Sequence, residues 1–155
     1  MKIIVDSREQ KDVFSFVFSE DEVVKRKLDV GDYSIEGFEN KITIERKRST
    51  MELHICLFSQ WSRFERELKR MQFFDEAYVI CTFPEEYMYT FPKNSTIPQK
   101  NLSKLKVSAG FLRKKYYEVQ EKFPDITFVY GNSFLESEIW AYNTLKDYYD
   151  RHITD

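Results

Sequence analysis

The sequence is short of the residues that build special scaffolds. Two cysteines in 155 residues cannot supply a disulfide framework. No secretory leader precedes the Lys2-Ile3-Ile4-Val5 run. Cys56 and Cys81 are therefore expected as reduced thiols in a cytoplasm, where the sequons at Asn94 and Asn101 carry no meaning. The two histidines, His54 and His152, show no ligand spacing with either cysteine, which leaves no zinc-site pattern. No apolar run is long enough to cross a bilayer, so a membrane is not among the expected partners. Excess charge is also missing: 24 Lys+Arg against 26 Asp+Glu give a net charge of -2. The chain is no bulk polycation, and any nucleic-acid contact must come from a local basic face or a metal-filled acidic site. What is abundant rules out disorder: 42% of residues are hydrophobic and 17% aromatic.

The length suits one domain over residues 1–155. KIIV is an unbroken apolar run, as expected for a strand covered on both faces. Segment 12–19 is ambiguous between strand and short helix, and 22–28 reads as a strand. VGDYSIEGFENKITIERK (30–47) is a hairpin turning near Gly37 to Asn40. Ser49 and Glu52 form a capping box, so a helix should follow with Leu53, Cys56 and Leu57 inward. SRFERELKRM (62–71) is a second helix and AYVICTF (77–83) a buried strand. Residues 84–101 hold three of the four prolines and read as a long loop or lid. A basic helix over 103–122, a strand at 125–131 and a helix capped by Ser133 and Glu136 complete the chain. Leu135, Ile139, Tyr142, Leu145 and Tyr149 are expected to share that last helix's inner face. Strands interleaved with helices predict an α/β sandwich around a mixed sheet.

The hairpin carries an anomaly. Its apolar strand, Ile42-Thr43-Ile44, ends in Glu45, Arg46 and Lys47. Alternation puts Thr43, Glu45 and Lys47 on one face, with Ile42, Ile44 and Arg46 on the other. Asp32 can lie across the hairpin from Glu45, after the turn that Gly31 permits. Two carboxylates and an ammonium at strand ends can hold a hard divalent ion and act on a phosphodiester. The plain alternative is a surface hairpin whose Glu45–Lys47 pair contributes little.

A longer pattern extends the hairpin. VDSRE (5–9), VGDY (30–33) and IERK (44–47), followed by an acid-capped helix and SRFERELKRM, together resemble the XPF/MUS-type (ERCC-type) structure-specific nuclease domain. The resemblance covers residues 3–83, in order and spacing. It implies a restriction-endonuclease-like (PD-(D/E)xK) three-layer sandwich and metal-dependent cutting of DNA at branched or flapped structures, as in repair and recombination. It implies Asp32, Glu45 and Asp6 as ligands of Mg2+, with Mn2+ able to substitute. Lys47 is the implied catalytic lysine, Asp6 and Glu9 the additional acids, and Arg8, Arg46 and Arg63 the DNA-supporting arginines. Ser62 stands where the family has glycine. Met51 stands where the family has its final acid, with Glu52 one residue later and already explained as a helix cap. No helix-hairpin-helix module is recognisable in 103–155, and a compact single-domain relative fits best.

Other residues carry two readings each. Arg8 either supports the site or pairs with a nearby acid. Lys100, Lys104, Lys106, Arg113, Lys114 and Lys115 either flank the cleft or form a solvated helix face. The loop with Tyr87, Tyr89 and Phe91 either closes over DNA or covers the sheet edge. His54, Trp61 and Trp140 read as packing residues. The alternatives to an active endonuclease are a catalytically silent DNA-binding or partner-binding module and a dimeric junction resolvase, so a homodimer or a partner chain is a further expectation.

Overall fold

The computed structural model describes residues 1–9, 12–17, 20–95, 97, 99–102 and 108–153. Six strands form one sheet: β1 (Lys2–Val5), β2 (Glu22–Lys25), β3 (Tyr33–Ile35), β4 (Ile42–Lys47), β5 (Glu76–Cys81) and β6 (Ile126–Tyr130). Their spatial order is β2-β1-β3-β4-β5-β6. β1 runs parallel to β2 and antiparallel to β3, β3 is antiparallel to β4, and β4, β5 and β6 are mutually parallel neighbours. The sheet is therefore mixed, as the interleaving of apolar runs with amphipathic helices requires.

Helices cover both faces. On one side lie α1 (Thr50–Leu57), α2 (Trp61–Met71) and α5 (Ala109–Lys122). Leu53, Leu57, Phe64, Leu68, Leu112 and Val119 pack there against Val79 and Cys81. On the other side lies α6 (Phe134–His152), whose Ala141, Leu145 and Tyr148 pack on Ile3, Ile35, Ile42 and Ile44. Three layers result. The central isoleucines have no accessible surface, and each such burial is worth about 2–3 kcal/mol relative to exposure.

Several expected boundaries move. β2 stops at Lys25 rather than at residue 28. Within 12–17 there is neither strand nor helix: Phe14 adopts φ 60 and buries its ring against Tyr33, 5.1 Å between centroids. The proline-bearing segment holds two helical turns, α3 (Tyr87–Thr90) and α4 (Gln99–Leu102). Met88 and Phe91 are buried in the helical layer, so this segment covers the core instead of standing open. The basic helix begins at Ala109, because Ser108 caps it by accepting the Phe111 N–H; residues 103–107 lie outside those described.

The inner face of α6 holds at Tyr142, Leu145 and Tyr149, which pack on the core as expected, but differs in its first turns. Leu135 and Ile139 are exposed, whereas Ser137 and Glu138 are buried. Long-range bonding explains the exchange: Glu138 Oε1 accepts the Phe14 N–H at 2.7 Å, from 124 positions away. A satisfied carboxylate can occupy the interior that an apolar pattern assigns to leucine.

Candidate active site

Strand adjacency gathers the motif residues. Asp6 follows β1, Asp32 precedes β3, and Glu45 and Lys47 end β4. The Asp6 N–H donates to the Asp32 carbonyl and the Asp32 N–H to that of Ile44, both at 2.8 Å. Gly31 adopts φ +77, and a Cβ there would collide with the Thr43 hydroxyl and press on the Ile44 carbonyl at 3.2 Å. Only glycine fits both the dihedral and the space. The turn thereby sets Asp32 beside β4.

These strand ends and helices α1 and α2 enclose a cleft of about 410 Å³, lined by Asp32, Glu45 and Lys47 among others. Asp32 Oδ2 accepts the Arg46 N–H at 2.7 Å. Lys47 Nζ lies 2.9 Å from Glu45 Oε1 and 4.9 Å from the centroid of the Phe64 ring beneath it. Burial and then the charge of Glu45 raise the Asp32 pKa well above the usual carboxylate range. Burial opposes the charge on Lys47, but Glu45 beside it outweighs burial and the amine's pKa is raised. Lys47 is an ammonium in this site.

Glu67 was not singled out by the sequence, yet it lines the same cleft from α2. Burial and then the charge of Glu45 push its carboxyl up to about 7. One signal could have found it: position 67 follows Arg63 by four and Phe64 by three, hence lies on the same helix face. Asp32, Glu45 and Glu67 thus line one half-buried cleft. Among the described residues, no three His, Cys, Asp or Glu side chains are already spaced to hold an ion together.

Asp6 and Glu9 lie beside this group but are bonded differently. Asp6 Oδ1 accepts the Leu28 N–H at 2.9 Å and Oδ2 accepts Arg8 Nε at 2.7 Å. Burial pulls the Asp6 carboxyl upward, but these bonds outweigh it and the pKa is lowered. Glu9 takes Arg46 Nη2 on Oε2 at 2.9 Å and Arg48 Nη2 on Oε1 at 2.7 Å.

The three expected DNA-supporting arginines sit in three environments. Arg8 reaches the cleft mouth with its side chain 64% exposed. Arg63 is exposed on α2 and lines the cleft. Arg46 is interior, its side chain 2% exposed and its guanidinium 4.5 Å from the Phe134 ring centroid on the α6 side. Alternation along β4 puts it there, as the sequence requires.

Ser49 Oγ accepts the Glu52 N–H at 3.1 Å as expected, but Glu52 Oε2 reaches back one residue further, to the Arg48 N–H at 3.0 Å. His54 packs between Phe58 and Phe91, 4.7 and 5.2 Å from their ring centroids, and burial lowers its pKa. Trp61 packs partly buried against the helical-layer core and Trp140 against Tyr78. On α5, Arg113 lies over Tyr89 and Lys115 over Trp61. Lys100 and Lys114 are exposed, and Lys104 and Lys106 fall outside the described residues.

A mixed six-stranded sheet between helical layers is a restriction-endonuclease-like three-layer α/β fold. The particular likeness is to XPF from Aeropyrum pernix: TM-score 0.67 at 18% identity, covering 100% of this chain and 68% of that one. A structure of XPF from the same organism in complex with DNA gives TM-score 0.66 at 18% identity, covering 99% of this chain and 68% of that one. The chain therefore has the fold of XPF. No protein-family model and no curated protein sequence matches it.

Proposed function

We propose that this protein is a divalent-metal-dependent endonuclease that hydrolyses phosphodiester bonds in DNA, with Mg2+ as its ion and Mn2+ able to substitute. The observation that carries the reading is the meeting of Asp32, Glu45 and Lys47 in one cleft. The donor set fits a hard ion, since Mg2+ takes oxygen ligands, keeps several waters and is commonly held by one or two carboxylates. Asp32 and Glu45 would hold it, because both oxygens of Asp6 are occupied by Arg8 and the Leu28 N–H. When bound, the ion would lend Lewis-acid polarisation to the scissile phosphate.

The protein's own groups do the rest. The Lys47 ammonium offers N–H donors to the attacking water and to charge developing on the phosphate. Asp6 and Glu9 fix Arg8, Arg46 and Arg48, and Arg63 adds positive charge at the mouth. The positive rim gives a polyanion a way into a cleft whose floor is acidic.

Labelled flap, fork and plain duplex DNA, incubated with Mg2+, Mn2+ or chelator, test the reading. Cleavage is expected only with metal, and its pattern among the three substrates reports whether branches are preferred. Binding without metal-dependent nicking would contradict the proposal and indicate a silent DNA-binding module.

A further inference from the structure

We propose that Arg48 grips a backbone phosphate of the bound strand, presented to it by Glu9. This rests on the reading that the cleft accepts DNA. Arg48 directly follows β4 and lines the cleft. Its backbone is pinned to α1 through the Glu52 carboxylate, and its guanidinium is pinned to buried Glu9. Its side chain is nevertheless 45% exposed, whereas Glu9 is 3% exposed. Among the described residues only its Nη2 is engaged, so the remaining guanidinium donors face outward from a fixed base.

Charge balance separates it from its neighbours. Arg8 is matched one to one by Asp6. Glu9 instead bridges two guanidinium groups, Arg46 and Arg48, so one carboxylate answers two cations. Of these two, only Arg48 reaches solvent, and the guanidinium that an incoming anion can meet is therefore at its position. A guanidinium already held in place loses little rotamer freedom on binding and suits the geometry of a phosphate. The contact carries no sequence information and sets where the strand lies against Asp32 and Glu45. Arg46, two-sided in its burial between Glu9 and Phe134, is then the internal half of the same clamp.

The test is the affinity of the full chain for fluorescent duplex and flap DNA, measured against NaCl concentration with Ca2+ in place of Mg2+. Arg48→Gln is expected to weaken binding about tenfold and to lower the salt slope by about 1. Arg48→Lys should keep the slope, with a smaller loss of affinity, and Mn2+ affinity should be unchanged in both variants. An Arg48→Gln slope equal to that of the unsubstituted chain overturns the assignment, even if affinity falls. Failure of the unsubstituted chain to bind DNA would instead overturn the nuclease reading on which this inference stands.

Discussion

Asp6 and Glu9 on one side, and Asp32, Glu45 and Glu67 on the other, are two groups of acids within one cleft, and their environments are opposite. The first group is answered by arginines and a backbone N–H, and the Asp6 carboxyl is held below its ordinary range. In the second, carboxyls line one half-buried cleft with one ammonium among them, and both Asp32 and Glu67 are shifted upward. The same residue type therefore serves two ends. Acids that are already paired build the wall, and acids that repel one another are the ones whose repulsion the proposed cation would relieve.

Breaking the comparison from the second side should give the largest effect. Asp32→Ala or Lys47→Ala is expected to lower metal-dependent cleavage by at least about 1,000-fold. Thermal unfolding should show the fold retained, and cleavage persisting in either variant would remove that residue from the chemistry. On the first side the effect is on stability. Glu9→Ala leaves Arg46 buried without its carboxylate, a loss of about 3–5 kcal/mol that lowers Tm on the order of 10 °C. Calorimetry reads it directly, and a Tm within a degree of the parent would contradict the buried clamp.

Glu67→Gln sharpens the contrast, because removing an acid here should raise the Tm of the chelator-treated protein by a few degrees. The pH dependence has a defined sign. Glu67 titrates near 4.5 when unfolded and at about 7 when folded, so between these values the native state holds a proton that the unfolded state has released. Stability of the metal-free protein must then fall as pH rises through that window. Melting curves from pH 4.5 to 7.5 should show the decline, flattened by Glu67→Gln. The smallest effect is Arg8→Ala. Asp6 has a lowered pKa, so the stability it contributes is present above its unfolded value and lost as pH falls through the folded one. With Arg8 well exposed, its removal should cost at most about 1 kcal/mol and move the acid-unfolding midpoint to higher pH.

The motif-bearing edge was legible because local rules place it. Alternation along Ile42–Lys47 sends Glu45 and Lys47 into the cleft and the Arg46 guanidinium toward Phe134, and Gly31 can be read as the turn that brings Asp32 alongside. The serine half of both capping boxes forms, with Ser49 and Ser133 accepting the N–H of Glu52 and Glu136. What escaped depends on partners far away in the chain. Glu138 turns inward to the Phe14 N–H, and in the first turns of α6 Leu135 and Ile139 are exposed instead. Glu67 becomes part of the cleft only once α2 is laid across β4, a placement that helical periodicity alone does not supply. Arg48 was not singled out by the sequence, because the Glu9 carboxylate that holds it lies 39 positions away.

The most direct test of the cation site is an anomalous difference map from crystals soaked in manganese. One strong peak within coordination distance of both the Asp32 and Glu45 carboxylates is the expected result. A peak at Asp6 and Glu9 alone, or an empty cleft at millimolar manganese, would contradict the division of acids on which the account stands.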